Sequence, residues 1–237
     1  MEIFETELSE VIQRMPGVKS FRFRPGKEID FQAGQFFFVT IKTGEGERTK
    51  PFSFSNSPTE KGYVEFTKRI TASEFSQALN RLVPGDWAKL KLPLGSFTLE
   101  GKDERIAFLS GGIGITPIRS MCKFATDRQL DTGIVLLYGN SKPADIIFRQ
   151  DFEEMAAANK NIRIVHTLTS SDIDKNTWPG RTGYINGQMV AEEIPDFEQR
   201  IFYLCGPPKM VEGLTDILKN KLGLTEDKIK TENFSGY

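Results

Sequence analysis

A glycine-rich segment near the middle of the chain has the residue types of a phosphate-binding loop. The apolar run Phe108-Leu109-Ser110 leads into Gly111, Gly112 and Gly114, and Thr116-Pro117 follows directly. Glycines allow a ligand to approach the backbone closely, and a helix N-terminus offers unpaired N–H groups to an anion. Thr116 suits the N-cap of that helix, and Pro117 suits its first position. The pattern predicts a strand, a loop that binds phosphate, and a helix that begins behind it.

A second segment, Cys205-Gly206-Pro207-Pro208-Lys209-Met210, makes this prediction more specific. The first segment alone is not the common dinucleotide fingerprint G-x-G-x-x-G, because Pro117 replaces its third glycine. Both segments follow apolar runs that are predicted strands. Ligands of parallel sheets bind beyond the carboxyl ends of the strands, so both segments are expected at one sheet edge.

The elements that must position these segments change character near residue 100. Before it, short apolar runs alternate with Pro-Gly and other turn signals, which is typical of a β-barrel or sandwich. The predicted strands there are 6–15, 18–24, 35–41, 51–55, 63–70 and 87–92, and the predicted helix is 73–82. After it, apolar runs alternate with helical segments, which indicates a parallel sheet covered by helices. The predicted strands there are 106–110, 133–138, 162–168, 200–204 and 228–232, and the helices are 117–125, 148–159, 187–193 and 207–222.

The expected fold is therefore an antiparallel β-barrel over residues 1–100, followed by an α/β domain with a doubly wound parallel sheet over residues 101–237. A net charge of −1 provides no field that would attract nucleic acid or anionic lipid. The sequence predicts no membrane span and no signal peptide, and a cytoplasmic location is expected. Two cysteines and one histidine are too few for an iron–sulfur cluster or a multi-histidine metal site, so no metal is predicted. The histidine, His166, is predicted to be a core residue.

The first half contains its own candidate site, Lys50-Pro51-Phe52-Ser53-Phe54-Ser55-Asn56-Ser57. A cation, aromatic rings and several hydroxyl and amide groups occur within eight residues of a predicted strand. Alternation along the strand places the two phenylalanines on one face and the serines on the other. Taken alone, the segment is better explained by an ordinary strand with a polar face and a serine-rich turn than by a binding site.

Taken together, these segments resemble the ferredoxin–NADP reductase superfamily, in which a flavin-binding barrel precedes a nicotinamide-nucleotide domain. The flavin motif Arg-x-Tyr-Ser is similar to Lys50-Pro51-Phe52-Ser53, and Gly34-Gln35-Phe36 resembles the entry of a barrel strand. Ser76-Gln77-Ala78-Leu79 resembles the helix beneath the flavin pyrophosphate, and Leu92-Pro93-Leu94-Gly95-Ser96-Phe97 resembles the turn that closes the barrel. The two glycine segments match the family's nucleotide motifs.

The resemblance implies an FAD-dependent NAD(P)H oxidoreductase and assigns residues to each cofactor. The implied flavin-binding residues are Lys50, Pro51, Phe52, Ser53, Phe66, Thr67, Lys68, Ser73 and Ser76. The implied nucleotide-binding residues are Gly111, Gly112, Gly114, Thr116, Pro117, Tyr138, Gly139, Asn140, Ser170, Asp172, Cys205, Gly206, Pro207 and Met210. The implied catalytic residues are Thr116 and Cys205, beside the reacting rings, and Tyr237, which would cover the flavin. A frayed polar end is the alternative for Tyr237.

Two departures from the family motif affect the flavin expectation. Lys50 replaces an arginine, so a bidentate fork on pyrophosphate becomes a point charge. Phe52 replaces a tyrosine, which keeps a stacking ring and removes a hydroxyl. FAD remains the expected flavin, with FMN as the alternative.

The sequence favours NADH over NADPH and leaves the electron acceptor open. The stretch after the predicted strand 162–168 contains Ser170 and Asp172 and no cation, whereas a 2′-phosphate would need one. Lys142, Arg149 and Arg181 are the nearest alternative cations. The expected partner is a separate electron carrier, such as ferredoxin, flavodoxin or an iron–sulfur subunit. The alternatives are the reductase component of an oxygenase or dehydrogenase complex and a flavin or nucleotide sensor without turnover.

Overall fold

A computed structural model describes residues 1–99 and 103–234 of the chain. The residues fall into two compact units. Met1–Leu99 and Thr116–Phe124 form the first unit, and the remaining described residues belong to the second. The division at residue 100 did not anticipate that part of a helix following the glycine loop is grouped with the N-terminal strands.

The first unit is built on a six-stranded antiparallel sheet. Its strands, in chain order, are β1 Glu2–Met15, β2 Val18–Phe23, β3 Phe36–Thr43, β4 Gly46–Ser53, β5 Val64–Arg69 and β6 Trp87–Leu94. They lie in the order β4-β3-β6-β1-β2-β5, and the two edge strands also contact each other, so the sheet curls into a barrel. Helix α1, Glu74–Arg81, begins after the N-cap Ser73 and ends before Leu82.

Alternating side chains of these strands fill the barrel interior, as the period of two requires. Phenylalanine dominates this core, together with the buried face of α1. The buried aromatic members are Phe21, Phe23, Phe31, Phe37, Phe52, Phe54, Phe66 and Phe75. The predicted β-rich first half is confirmed, although β1 and β4 begin four and five residues before their predicted starts.

The second unit is built on a six-stranded parallel sheet with helices. The strands are β7 Arg105–Gly111, β8 Gly133–Asn140, β9 Ile162–Leu168, β10 Arg181–Thr182, β11 Ile201–Gly206 and β12 Ile229–Asn233, in the order β10-β9-β8-β7-β11-β12. The helices are α2 Ile115–Asp127, α3 Arg149–Ala158, α4 Gly187–Glu193 and α5 Pro208–Asp216. A π-helical turn, Ile217–Lys221, continues α5, so the predicted helix 207–222 is divided in two.

The predicted parallel sheet is confirmed, and its strands bury apolar side chains on both faces, as strands between two helical layers do. The two-residue strand β10 was not predicted, because a pair of residues leaves no periodic signal. No helix in the described ranges is long and apolar enough to cross a membrane.

Candidate functional site

The carboxyl ends of neighbouring parallel strands bring several of the predicted nucleotide residues into one row. Cys205 lies opposite Ser110, which lies opposite Tyr138 on the next strand. One step further along, Gly111 lies opposite Gly139. The sequence prediction of a shared sheet edge is confirmed, because parallel strands in register end together.

Three glycines let backbones and one side chain approach closely at this edge. A Cβ on Gly114 would lie 2.5 Å from the carbonyl oxygen of Cys205 and 2.6 Å from the Cα of Gly206. A Cβ on Gly111 would lie 2.6 Å from the sulfur of Met210, and one on Gly206 would overlap the same side chain. The two glycine segments are therefore packed against each other, and any side chain on Gly114 would push them apart.

Gly112 has a different role because its φ of +54° lies in the left-handed region. A Cβ at this position would meet no atom of the described residues within 4 Å. The carbonyl of Gly112 accepts a 2.8 Å hydrogen bond from the hydroxyl of Tyr138, whose side chain is fully buried. Tyr138 thus supports the loop from below. Its contact with a nucleotide stays a prediction.

The prediction that Thr116 caps a helix is wrong. Gly112–Gly114 already form a 3₁₀ turn, and α2 begins at Ile115, so Thr116 is the second residue of the helix. The glycines adopt the helical turn themselves, which moves the unpaired N–H groups of the first turn toward the loop. Pro117 remains in the first turn of α2, where its missing N–H leaves no bond unmade.

A buried amide without a hydrogen-bond partner among the described residues lies at the same sheet edge. Asn140, the last residue of β8, is 7% exposed, and its Nδ2 has no hydrogen-bond partner within the described part of the chain. A buried donor without a partner costs about 1–3 kcal/mol, so a ligand oxygen here would relieve that cost. The Nδ1 of His166 is also buried and lacks a partner among the described residues, and His166 is half-buried rather than the satisfied core residue that was predicted.

Cys205 is fully buried, and Glu232 of β12 lies beside it on the neighbouring strand. The sulfur of Cys205 lies 3.9 Å from Oε2 of Glu232. Burial and the carboxylate both raise the pKa of the Cys205 thiol well above its usual range. The residue is therefore a neutral thiol at physiological pH, which suits packing and excludes a thiolate nucleophile. Sequence reasoning missed Glu232 because only strand pairing brings it beside Cys205.

Of the candidate cations for a 2′-phosphate, the two arginines are paired with carboxylates. Arg149 pairs with Glu153 at 2.8 Å, and Arg181 pairs with Glu192 and Glu193. Asp172 is exposed and accepts from the hydroxyl of Ser171. The N–H of Ser170 donates to the carbonyl of Ser141 at 3.1 Å. Lys142, the residue after Ser141, is exposed.

In the first unit, two lysines lie close enough to influence each other. Burial lowers the pKa of Lys68 to about 8, and the charge of Lys50 adds to that effect. Lys68 is 5% exposed, whereas Lys50 on β4 is exposed. A phosphate group beside both ammonium groups would reverse this repulsion, so this donor set fits the pyrophosphate of a flavin nucleotide.

Phe52 and Phe66 are core residues of the barrel. Their rings stack with centroids 4.2 Å apart, and Phe75 packs on Phe52 at 5.9 Å. Phe52 is 5% exposed and Phe66 is fully buried. The aromatic core therefore covers the ring of Phe52, which was expected to offer a stacking face. Both residues support the strands β4 and β5 from inside.

The predicted hydroxyl ligands are engaged in local structure. Ser73 accepts from the N–H of Ser76 as the N-cap of α1, and the Ser76 hydroxyl accepts from the N–H of Thr71 at 2.8 Å. The hydroxyl of Thr67 donates to Ser55 at 2.9 Å. Ser53 is 5% exposed, and Pro51 lies on the exposed part of β4.

Pro207 and Tyr184 each follow a strand of the second sheet. Pro207 is the N-cap of α5, directly after Gly206. Tyr184 is 79% exposed beyond β10, and sequence reasoning did not single it out. Its signal is an aromatic residue after Gly183, whose φ is +97°. Tyr237 lies outside the described residues.

Comparison with known proteins agrees with both halves of this geometry. Residues 5–99 match the family model described as the oxidoreductase FAD-binding domain, and residues 108–216 match the oxidoreductase NAD-binding domain. The chain belongs to the ferredoxin–NADP reductase superfamily. This superfamily member carries an FAD-binding domain followed by an NAD-binding domain.

The relatives of this superfamily member include longer proteins. It is 28% identical to the glycine betaine monooxygenase reductase subunit of Pseudomonas aeruginosa, over 88% of this chain and 58% of that protein. It is 30% identical to the phenol hydroxylase P5 protein of Acinetobacter pittii, over 98% of this chain and 65% of that protein. The chain thus spans between about half and two thirds of their length.

A solved structure shows the same fold. The flavohem-like FAD/NAD binding domain of nitric oxide dioxygenase from Vibrio cholerae superposes with a TM-score of 0.85 at 21% identity, covering 97% of this chain and 98% of that one.

Proposed function

We propose that this protein is an FAD-dependent reductase that takes a hydride from NADH and delivers electrons to a separate carrier protein. The observation that carries the proposal is the row of strand ends at which Cys205, Ser110 and Tyr138 lie in register. One step further along, Gly111 lies opposite Gly139, and Asn140, with its unpaired amide, follows Gly139 in the chain. A bound flavin would supply the exchange between two-electron and one-electron chemistry.

The chain's own residues would bind and orient the two cofactors. Lys50 and Lys68 would hold the flavin phosphates by charge. Gly112 would bring its backbone close to the nucleotide phosphates, and the hydroxyl of Tyr138 would hold the Gly112 carbonyl in place. Asn140 would donate its unpaired N–H to the nucleotide. Each of these roles places a donor at a position where an anion or an acceptor group relieves an existing cost.

Near the reacting rings the chain would provide packing rather than a proton or a nucleophile. Cys205 stays a thiol because its pKa is raised, and its neighbour Glu232 keeps the sulfur fixed on the strand end. A neutral, buried side chain in this place excludes water without introducing a charge beside a hydride. Thr116, which is 2% exposed, would have a similar role at the start of α2.

The proposed nucleotide is NADH. Arg149 and Arg181 are held by carboxylates, and Asp172 would repel a 2′-phosphate. Lys142, next to the residue that holds Ser170, limits the discrimination to a modest factor. Exposed Tyr184 would offer its ring to the adenine base, since aromatic stacking adds about 0.5–1.5 kcal/mol beyond area burial.

The proposed partner is a one-electron carrier on another protein, such as a ferredoxin, a flavodoxin or an iron–sulfur subunit. The names of the relatives support this, because a phenol hydroxylase component and a glycine betaine monooxygenase reductase subunit are parts of larger oxygenase systems. A sensor without turnover is the rival function, and it needs none of the packing at Cys205.

The test is an anaerobic titration of the purified protein with NADH and NADPH, followed by absorbance. We expect a yellow protein whose released flavin is FAD and which NADH bleaches faster than NADPH. Cys205→Ala should retain flavin and slow its reduction, with Cys122→Ala, a buried thiol of α2, as the matched control. A protein that binds neither FAD nor FMN contradicts the proposal, and flavin that stays oxidised with both nucleotides favours the sensor.

A further inference from the structure

A buried ion pair joins α2 to the turn that follows the flavin-motif strand β4. The guanidinium of Arg119 donates to both carboxylate oxygens of Glu60, at 2.9 and 3.3 Å, and to the carbonyl of Ser55 at 2.7 Å. The next residue of α2, Ser120, donates its hydroxyl to the carbonyl of Asn56 at 2.7 Å. Two consecutive side chains of α2 thus hold two consecutive carbonyls of this turn.

Glu60 passes the constraint on to the rest of the turn. Its carboxylate accepts the N–H of Ser57 at 2.7 Å and the hydroxyl of Tyr63 at 3.2 Å. Burial opposes the charge of Glu60, but the hydrogen bonds and charge of Arg119 outweigh it, so the pKa of Glu60 is lowered. The carboxylate is therefore ionised at neutral pH, and Ser55 to Glu60 are fixed as one unit.

Stability alone gives no reason to keep such a pair. The side chains of Arg119 and Glu60 are 8% and 18% exposed. Desolvation of a buried ion pair offsets most of its Coulomb attraction, and well-packed apolar residues often serve stability equally well. The fixed directions of its hydrogen bonds are what an apolar pair could not replace.

Along the sequence, Arg119 lies close to the glycine loop, and Ser55, which accepts from it, lies close to the flavin motif. Arg119 lies one helical turn after Thr116, and α2 itself begins directly behind the glycine loop. Ser55 lies two residues after Ser53 of the flavin motif. The hydrogen bonds of Arg119 and Ser120 therefore offer a route from the first turn of α2 to the carbonyls that follow the flavin strand, since packed side chains and rigid helices can carry coupling.

We propose that Arg119 and Glu60 are positioning residues that couple occupancy of the dinucleotide loop to the affinity of the flavin site. The inference rests on the proposed function and adds a regulation to it. Nucleotide binding at Gly111 to Gly114 fixes the start of α2. The Arg119–Glu60 pair then holds the turn from Ser55 to Glu60 in its flavin-binding form. By linkage, bound flavin raises the affinity for the nucleotide by the same factor.

The test measures the rate of flavin release with and without ADP-ribose. ADP-ribose fills the phosphate-binding part of the dinucleotide site but has no nicotinamide ring to stack on a flavin. In the wild-type protein, ADP-ribose should slow flavin release by about fivefold or more, the lower range of typical coupling. Glu60→Gln and Arg119→Lys, which keep size and hydrogen-bonding groups, should reduce that factor below about two.

The matched control is Arg163→Lys, which changes an exposed guanidinium paired with Glu193 at 2.8 Å. It should keep the wild-type coupling. Thermal melts confirm that each variant is folded, and the dissociation constant for ADP-ribose in flavin-free protein should be unchanged in all of them. Arg119→Ala, which removes every donor, should lower the factor at least as far as Arg119→Lys, whose ammonium can still reach one acceptor.

The outcomes separate this inference from the proposed function. A protein that takes up flavin but shows no effect of ADP-ribose on its release overturns the inference alone. Variants of Arg119 or Glu60 in which ADP-ribose slows flavin release as much as in the wild-type protein also overturn it. A protein that takes up no flavin overturns both.

Discussion

Replacing Gly114 by alanine tests the packing of the two glycine segments. The added Cβ would lie 2.5 Å from the Cys205 carbonyl oxygen, 2.7 Å from the carbonyl carbon of the same residue and 2.6 Å from the Gly206 Cα. All three atoms belong to backbone, so no side chain can rotate away. The segments must separate by roughly 1 Å to restore ordinary contact. Overpacking of this kind costs about 1–3 kcal/mol.

The larger consequence of Gly114→Ala is expected for the rate of flavin reduction. A misplacement of about 1 Å between reacting groups lowers a rate by about 10²-fold. The rate is measured at a flavin concentration that keeps the flavin site filled, so that it reports the nucleotide half alone. The thermal midpoint should fall by about 2–4 °C for each kcal/mol lost. The assay is stopped-flow reduction by NADH, with flavin absorbance and a thermal melt on the same sample.

Two matched glycines separate the sterics from other effects. Gly112→Ala meets open space among the described residues but must adopt a φ of +54°, which costs about 1–2 kcal/mol and should weaken nucleotide affinity. Gly213→Ala lies on the exposed side of α5, where no described atom outside the helix lies within 4 Å, and should stabilise the protein by about 0.5–1 kcal/mol. If Gly114→Ala is reduced at a rate within about twofold of wild type, the close approach of the two segments has no bearing on hydride transfer.

Three further outcomes are expected. Tyr138→Phe removes the hydroxyl that supports the Gly112 carbonyl and should raise the dissociation constant for NAD⁺ about fivefold, measured by calorimetry, with flavin content unchanged. Flavin affinity should fall as pH rises above about 8, since Lys68 in the flavin-free protein loses its proton there; Lys68→Gln should abolish this slope and Lys91→Gln should keep it. Glu65→Ala removes the carboxylate that binds Arg14, Arg22 and Ser55, and should lower the free energy of unfolding in urea by about 3–5 kcal/mol.

Each of these three predictions has an outcome that contradicts it. An unchanged nucleotide affinity in Tyr138→Phe would show that Gly112 keeps its conformation without support. A flat pH profile in the wild-type protein would remove Lys68 from the flavin site. A loss below about 1 kcal/mol in Glu65→Ala would place its ion pairs with the exposed ones, such as that of Glu28, which is expected to contribute almost nothing.

The order of the two halves, and the edge at which the nucleotide residues meet, follow from the amino-acid sequence alone. Strand–helix alternation after residue 100 requires a parallel sheet, and a parallel sheet ends all its strands on one side. Gly111, Gly139 and Cys205 could therefore be placed together from the sequence. Local sequence patterns suffice here, because each of these residues lies at the end of a strand that its own stretch of sequence predicts.

Which of the predicted ligands remain available depends instead on the packing of the folded chain. Phe52 has the sequence context of a stacking residue, but the aromatic core of the barrel covers its ring. Thr116 has the type of an N-cap, but the glycines before it already form a helical turn. Glu232 beside Cys205 and Glu60 beside Arg119 are brought together by pairing and packing across long stretches of chain. No local pattern encodes such contacts, because burial and side-chain pairing depend on elements that are distant in the sequence.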